Sequence, residues 1–445
     1  MSEYGTDERL VVGGDLAPTG LAWTPDGAAL VAVGRAAPGG PQGLVVIDLA
    51  TGARRQLTDG GGGATRDVLP VVSPDGERVA FMRWVDDSAS HVYVVPFAGG
   101  DEVRVTDRTS SVAGVAWTPD GRSVVFSSDR TGLYRLWAAE PGRAPRRLAV
   151  PAQDPGSPTT SPAGVLAYAD WRYNTNVWVA PTAAPAEGRA VHASTLWEEE
   201  PALSPDGARV AFVSTRGGAP ELWAGRVDGG EAVRLTDHGG ALHAPRWSPD
   251  GRAIAYQART GDGYDVYVVS AEGGRPRRLT DHPADDVNPR WSRDGRSVLV
   301  GSERGGAWAV WQIPVEGGAA RRVLDGAFVA DEGADGALYS MRPGEAGLYA
   351  TRPGGEPRRV ADVSRSDWHN WAATSVGVFA LDRSAGAPRV VRIDPGGPTV
   401  VADGLGELTP FRATLSVADD GSALAWGRVD SAENDIVVIE GLGRP

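Results

Sequence analysis

Hydrophobic and polar residues alternate in short runs along the chain, and turn-forming residues separate the runs. Between residues 243 and 282 the order is "HAPRWSPDG", "RAIAYQART", "YDVYVVSA" and "RPRRLTDH". Alternation with a period of two is typical of half-buried strands, and no helical period is present. In "SPDG", Pro presets φ, Asp supports the turn and Gly tolerates positive φ. Four short strands joined by turns predict one blade of a β-propeller.

This unit recurs along the whole chain. The turn glycine of each copy stands at Gly27, Gly76, Gly121, Gly164, Gly207, Gly251, Gly295, Gly336, Gly377 and Gly421. A regular spacing near 44 residues is typical of a solenoid or a propeller, and the four-strand unit favours the propeller. The pattern therefore predicts an all-β fold, a single closed β-propeller of about ten four-stranded blades.

The two ends of the sequence predict how the ring closes. The last copy ends at "NDIVVIEGLGRP", with a third strand and no fourth, whereas the chain begins with a segment that includes "ERLVVGGDLAPTG". We predict that a strand at about residues 8–13 completes the last blade, so that residues 1–445 form one domain without exposed sheet edges. Ten blades exceed the usual four to eight. A smaller ring with some copies outside it, and two propellers, are the alternatives.

The pattern "PxWSPDGxxIA", followed by "GG" and "RRLT", resembles the TolB-like propeller repeat. This repeat also occurs in prolyl-oligopeptidase-type peptidases and downstream of DNA-binding domains in some bacterial regulators. The resemblance implies the fold and little about function, because one fold serves many functions. TolB has an additional N-terminal domain and the peptidases have a hydrolase domain with "G-x-S-x-G"; neither pattern occurs here. We expect a free-standing propeller.

Composition excludes several classes of chemistry. The sequence has no cysteine and no lysine, so disulfides, thiolate catalysis, Schiff-base lysines and phosphate-loop lysines are excluded. The net charge of −13 disfavours nucleic-acid and anionic-membrane partners. No apolar stretch is long enough to span a membrane and the N-terminus does not resemble a secretory signal. We therefore expect a cytoplasmic monomer without a cofactor.

Candidate site residues are expected on the loops around one end of the channel, opposite the "SPDG" turns. The loop "TLWEEEP" offers Glu199 and Glu200 beside Glu198, either as a cation site or general base, or as a solvated acidic loop. The loops "DHGGALHAP" and "DHPADDVNP" offer His243, Asp286 and Asn288. They lack a tight ligand motif, so we predict no metal site.

The segment "SRSDWHNWA" is the strongest candidate for a binding pocket. It consists of residues 364–372 and contains Asp367, Trp368, His369, Asn370 and Trp371. These side chains suit a stacking pocket with directional hydrogen bonds, or acid–base catalysis by the histidine. The alternative is that Trp371 packs between blades.

Four further residues are candidates for the site, whereas the tryptophans and aspartates that recur in the repeats are expected to be structural. We expect the loop "DWRYNTNVW" to add Trp171, Arg172 and Tyr173 to the same face, and Arg412 to handle charge. The repeated Trp23, Trp117, Trp247 and Trp291 are expected to pack between blades, and each "PDG" aspartate to support its turn.

These residues leave two functional hypotheses. The first is a binding or scaffolding module for a protein or peptide partner on the loop face. The alternative is a metal-independent lyase, isomerase or cyclase that acts on a polar or aromatic small molecule, with His369 as acid or base.

Overall fold

The computed structural model describes residues 16–61, 65–85, 90–107, 110–152, 154–260, 263–394, 396–409 and 415–441. The chain divides into two compact units. The smaller unit is Met1–Arg172 with Glu433–Pro445, and the larger unit is Tyr173–Ala432. Antiparallel strands account for nearly all regular structure in the described residues, which confirms the all-β prediction; the two helical elements are single turns at Pro185–Glu187 and Arg365–Asp367.

The described part of the smaller unit contains three consecutive four-stranded sheets. The first is β1 (Leu16–Trp23), β2 (Ala29–Gly34), β3 (Gly43–Asp48) and β4 (Arg54–Gln56). The second is β5 (Arg66–Val72), β6 (Arg78–Trp84), β7 (Ser90–Pro96) and β8 (Val103–Arg104). The third is β9 (Val112–Trp117), β10 (Val124–Ser128), β11 (Arg135–Ala139) and β12 (Arg146–Arg147). In each sheet the strands are hydrogen-bonded in chain order.

A fourth region contains longer strands. It begins with β13 (Pro155–Thr160), β14 (Val165–Pro181) and β15 (Arg189–Val191). The boundary between the two units falls within β14. The segment "DWRYNTNVW" lies entirely in this strand, so it is not the loop that we predicted. Asp170, Thr175, Asn176 and Val177 of this segment are buried, which fits a packed strand and not an exposed loop.

The larger unit continues with five sheets of consecutive strands. The first two are β16 (Glu198–Leu203), β17 (Arg209–Ser214), β18 (Glu221–Arg226) and β19 (Val233–Arg234), then β20 (Leu242–Trp247), β21 (Ala253–Thr260), β22 (Gly263–Ser270) and β23 (Arg277–Arg278). The next two are β24 (Asp286–Trp291), β25 (Ser297–Ser302), β26 (Ala309–Pro314) and β27 (Arg321–Asp325), then β28 (Val329–Glu332), β29 (Leu338–Met341), β30 (Leu348–Thr351) and β31 (Arg358–Ala361). The fifth is β32 (Trp371–Thr374), β33 (Gly377–Asp382), β34 (Arg389–Asp394) and β35 (Gly397–Ala402).

The last repeat differs from the prediction. It consists of β36 (Leu415–Val417) and one long strand, β37 (Ala423–Glu440), where we expected two strands. The neighbours of β37 are β36 and β14, and β15 pairs with β14, so β14 stands where we expected the N-terminal strand. The predicted strand at residues 8–13 lies outside the described residues. The prediction of one ten-bladed ring is therefore not confirmed.

The first strands of the sheets in the larger unit contact one another in sequence. The order of contact is β16, β20, β24, β28, β32 and β36, and β36 contacts β16. These six strands therefore surround a common channel. They carry the residues that form the candidate site described below.

The core of each sheet pair follows from the alternating pattern. In β21, Ile254 and Tyr256 point into one apolar cluster, whereas Ala255 packs into the next cluster with Trp291. Trp247 and Trp291 donate their indole N–H groups to carbonyl oxygens of the preceding sheet, those of Ala202 at 2.8 Å and Arg246 at 3.0 Å. These contacts confirm the packing role that we predicted.

Trp23 does not follow this rule. Its side chain is 63% exposed, although it has the same position in its repeat as Trp247 and Trp291. The other repeated tryptophans donate to the sheet that precedes them in the chain, and β1 is the first described strand. The prediction that Trp23 packs between blades is therefore wrong for this copy.

The "SPDG" turns are held by a repeated hydrogen-bond pattern. Ser248 donates its hydroxyl to Asp250 at 2.6 Å, the backbone N–H of Arg252 donates to the same oxygen at 3.1 Å, and Gly251 has a φ of +69°. The hydroxyl hydrogen bond is the largest cause that lowers the pKa of Asp250. The pKa values of Asp206 and Asp294 are lowered for the same reason. The predicted turn role of these aspartates is confirmed.

This pattern predicts that stability depends on pH in the acid range. Since folding lowers these pKa values, the stabilisation is complete above the unfolded value of about 4 and is lost as pH falls through the lower folded value. We expect the melting temperature to fall between pH 5 and pH 3. The fall should be smaller when Asp206, Asp250 and Asp294 are all replaced by asparagine.

The control neutralises three exposed carboxylates outside these turns, Asp281, Glu316 and Glu356. It produces the same change in net charge. Circular dichroism melts of the three proteins test the prediction, which fails if the turn variant and the control have the same pH dependence.

No helix in the described ranges is both long and apolar enough to cross a membrane.

Candidate functional site

A bulge in the first strand of several sheets determines which side chains face the channel. In each case the residue before a proline has a positive φ, between +46° and +57°, and the strand register shifts at this point. The residues concerned are Leu69, Ser157, Glu200, Ala244 and Asn288. A bulge redirects the side chains that follow it. In the larger unit, the residue after the proline then lines the channel.

Six residues, one from the first strand of each sheet around this channel, border the channel near the turn that follows the strand. They are Ala202, Arg246, Arg290, Asp331, Ala373 and Ser416. All six line a cavity of about 290 Å³. Two arginines and an aspartate come from three consecutive sheets, whereas the other three sheets contribute only Ala or Ser. The cavity exists because these small side chains leave the space opposite the charged ones unfilled.

Arg290 is the most unusual group in the cavity, because it is a charged side chain that is only 5% exposed. Its guanidinium lies 5.6 Å from the centre of the Trp371 ring and 3.5 Å from the Trp371 carbonyl oxygen. Among the described residues, its Nε has no hydrogen-bond partner. Burial lowers the pKa of Arg290, and the nearby charge of Asp331 opposes this change. A buried, incompletely hydrogen-bonded guanidinium is costly and can be satisfied by a ligand.

Asp331 is the acidic residue among these six, and its strand, β28, contacts β24, the strand that carries Arg290. It accepts the backbone N–H of Ala373 at 3.3 Å and that of Glu332 at 3.1 Å. Burial raises the pKa of Asp331, and Arg290 is the strongest opposing influence. The backbone therefore supplies part of the hydrogen bonding that this carboxylate needs, so Asp331 does not depend on Arg290 alone.

The charges at the turn end of the cavity are already paired. Arg293 replaces the usual proline of the "SPDG" turn; its backbone N–H donates to Glu332 at 3.0 Å, and its guanidinium lies 3.6 Å from Asp419. Arg246 is half-buried and donates to the carbonyl oxygen of Pro245 at 2.7 Å. Of the three arginines that line the cavity, Arg246 and Arg290 therefore have more capacity to bind a ligand than Arg293.

The segment "DWHNW" is built into the sheet packing. Trp371 is 1% exposed within an apolar cluster of two adjacent sheets, and donates its indole N–H to the Trp368 carbonyl oxygen at 2.8 Å. Trp371 is also among the residues that line the cavity. Trp368 packs between Phe328 and His369, at centroid distances of 5.2 and 4.2 Å, and His369 is buried. These positions agree with the packing alternative for Trp371.

Asp367 and Asp286 belong to a repeated acid–arginine pair within a sheet. Asp286 binds the Arg304 guanidinium through both oxygens at 2.6 Å, and Asp367 lies 3.1 Å from Arg383. Asp367 also accepts from Asn370, whose side-chain oxygen accepts the backbone N–H of Leu415 at 3.2 Å. These contacts hold the start of the first strand against the end of the second, and explain the residues without a ligand.

Glu200 and His243 form the one pair of predicted site residues from neighbouring sheets that the described hydrogen bonds bring together. His243 Nδ1 lies 2.7 Å from one oxygen of Glu200, and the other oxygen accepts the backbone N–H of Ala244 at 2.6 Å. The backbone N–H of Asn288 donates to Gln257 at 2.6 Å. Glu199 is buried in β16. These contacts hold the bulges of adjacent sheets together.

The other predicted residues lie elsewhere. Trp171 lies against Gly156 and Arg172 bridges Asp170 and Asp435, all in the smaller unit. In the larger unit, the ring of Tyr173 lies edge-on to that of Trp197 at 6.5 Å. Arg412 lies outside the described residues. No group of three metal-binding side chains is present in the part of the chain that the structure describes.

Arg246, Arg290 and Asp331 were not among the site residues predicted from the sequence. The available signal was "PRW" in two consecutive repeats, because an arginine stands there at the position where "LAWTPDG", "PVVSPDG", "VAWTPDG" and "PALSPDG" have alanine or valine. We had also expected the site among the loops at the other end of the channel. The cavity instead reaches the "SPDG" end, where Pro205, Pro249 and Arg293 contribute to its lining.

Comparison with known families identifies the repeat. Residues 21–229 and 189–334 match the model of the TolB beta propeller domain. Curated relatives include an uncharacterized protein, Atu1656, of Agrobacterium fabrum, 25% identical over 216 residues, or 48% of this chain and 57% of that protein. Tricorn protease homolog 1 of Streptomyces coelicolor is 47% identical over 66 residues, or 14% of this chain and 6% of that protein. The chain thus spans less than two thirds of each of these relatives.

Solved structures that match this chain include TolB from Acinetobacter baumannii, with 18% identity and a TM-score of 0.23 over 68% of this chain and 64% of that one. Oligogalacturonate lyase from Vibrio parahaemolyticus has 13% identity and a TM-score of 0.31 over 72% and 86%, respectively.

Proposed function

Because this chain belongs to the TolB beta propeller domain family, we propose that it is a binding module whose larger unit holds a peptide segment of a partner in the central cavity. The observation that carries the proposal is the uneven ring of six side chains. Arg246, Arg290 and Asp331 occupy one side, and the small residues opposite leave about 290 Å³ open. This volume is close to the lower end of the range for ligand pockets.

The dimensions favour an extended segment over a folded domain. A volume of about 290 Å³ is too small for a folded domain, whereas a chain end or loop can enter it. Leu203, Trp247 and Val417 add apolar surface beside the charged groups. Such a combination of apolar lining and a few polar groups is typical of sites that both bind and orient a ligand.

The binding role is favoured over the enzyme alternative by the position of the predicted catalytic segment. His369 and Trp371 are buried in sheet packing, and neither is arranged as a solvent-accessible stacking platform. The loop face, where we first expected the partner, and the cytoplasmic location remain predictions.

A narrowed cavity tests this proposal. The probe is a library of fluorescently labelled heptapeptides, and binding is measured by anisotropy on the full chain. We expect at least one peptide to bind the wild type and to lose affinity at least tenfold when Ala373→Phe fills part of the cavity. The matched control is Ala208→Phe, which adds the same bulk at an exposed turn outside the cavity.

Melting curves establish that both variants are folded. If Ala373→Phe does not fold, Ser416→Val narrows the cavity by a smaller amount and is used instead. The proposal is wrong if no peptide binds the wild type, or if the cavity variant and the turn variant bind equally well.

A further inference from the structure

Two arginines of the cavity retain donors for a ligand. The charged lining residues are three arginines and three carboxylates, so the cavity as a whole is formally neutral. Arg293 lies at the turn end beside Glu332 and Asp419. Deeper in the cavity, Arg246 and Arg290 face the single carboxylate of Asp331. This part of the lining can therefore pair with one further negative group on a ligand.

The donor geometry also favours an anion. A guanidinium has five N–H donors in a planar fork, and it binds carboxylates through two parallel hydrogen bonds. Within the described residues, the Nε of Arg290 lacks a partner and its contact with the Trp371 carbonyl oxygen is long, at 3.5 Å. Arg246, at the equivalent position of the adjacent sheet, is half-buried and borders the same cavity.

We propose, on the basis of the proposed function, that Arg246 and Arg290 bind a carboxylate of the ligand, and that this group is the C-terminal carboxylate of the peptide. Because Asp331 lines the same cavity, a single negative charge meets less repulsion there than a phosphate dianion does. Because Arg290 is buried, its ligand must reach into the cavity, and a chain terminus can do so without the backbone having to leave again. The space beside Ala202, Ala373 and Ser416 accommodates the last side chain.

Paired peptides test this inference. The best heptapeptide from the library is compared with the same peptide carrying a C-terminal amide, and with an amidated peptide that has glutamate at its last position. We expect amidation to weaken binding about 10- to 100-fold, the usual effect of a lost charged hydrogen bond. If the glutamate peptide restores the affinity, the site binds a side-chain carboxylate and the C-terminal assignment is wrong.

Arginine variants connect the effect to the two residues. Arg246→Gln and Arg290→Gln should each weaken binding of the peptide with a free C-terminal carboxylate at least tenfold. They should have little effect on binding of the amidated peptide. The control is Arg252→Gln, an exposed arginine in a neighbouring turn. If Arg290→Gln does not fold, the effect of Arg246→Gln on the two peptides decides the test, because Arg246 is only half-buried. Equal binding of free and amidated peptides by the wild type overturns the inference and leaves the proposed function intact.

Competition by small anions distinguishes a failure of the carboxylate assignment from a failure of the proposed peptide binding. Acetate should compete with the peptide, and phosphate at equal ionic strength should not compete better; a stronger effect of phosphate contradicts the carboxylate assignment. If no peptide binds, the proposed function fails. Acetate is then tested by melting temperature against chloride at equal ionic strength. If acetate stabilises the wild type and Arg290→Gln abolishes this stabilisation, the carboxylate site is supported. If acetate does not stabilise the wild type, the carboxylate assignment is wrong.

Discussion

Replacing Asp286 with alanine is expected to lower the free energy of unfolding of the larger unit by about 3–5 kcal/mol. Asp286 is fully buried and binds the Arg304 guanidinium through both oxygens at 2.6 Å. Removing the carboxylate leaves the side chain of Arg304, which is 13% exposed, without its charged partner. The cost arises mainly from this uncompensated charge, because the intact pair already offsets much of its own desolvation.

Urea denaturation followed by tryptophan fluorescence measures this change. The control is Asp237→Ala, which breaks the ion pair between Arg234 and the exposed Asp237 and should cost about 1 kcal/mol or less. Similar losses in the two variants would show that the buried pair has no special structural role. The function proposed above should be retained by Asp286→Ala molecules that remain folded, because Asp286 does not line the cavity.

Replacing Trp371 with alanine is expected to cost about 3–5 kcal/mol, the usual effect of truncating a buried aromatic side chain. Trp371 is packed with Val329, Met341 and Val378 between two sheets of the larger unit. The same substitution should also weaken peptide binding, because the Trp371 ring lies 5.6 Å from the Arg290 guanidinium and borders the cavity. A loss of binding without a loss of stability would instead support the ligand-stacking role considered from the sequence.

Trp23→Ala is the matched control for this experiment. It removes the same side chain from a position that is 63% exposed, so we expect a change in unfolding free energy within about 0.5 kcal/mol. Thermal and urea unfolding of the two variants measure the difference. If Trp23→Ala were as destabilising as Trp371→Ala, Trp23 would have a packing partner that the exposed position does not indicate.

The repeat could be predicted from local sequence because each part of it is determined by neighbouring residues. The turn around Asp250 and Gly251 uses side-chain and backbone contacts within five residues, and the alternation in β21 places Ile254 and Tyr256 on one face. The role of Trp247 was also predictable, since the same position recurs. The exposure of Trp23 was not predictable, because the burial of this position depends on contacts outside its own repeat.

The site was harder to predict because the chemically attractive residues have partners far away in sequence. Asp286, Asp367 and Glu200 suggested ligands or catalysis, yet they bind Arg304, Arg383 and His243, respectively. A carboxylate in a loop cannot be distinguished from half of a buried ion pair until the strand that carries its partner is located. Conversely, Arg290 was inconspicuous among the many arginines of the chain.

The sequence by itself determined the four-strand repeat, the turn chemistry, the all-β fold and the absence of lysine and cysteine chemistry. These properties depend on residue type and on contacts within one repeat. The tertiary structure decided which strands form the last sheet, that β14 and β37 are long and continuous, and that Arg246, Arg290 and Asp331 share a cavity with Ala202, Ala373 and Ser416. The physical reason is that the channel is lined by residues from six repeats, so its charge and volume are set only when all six strands come together.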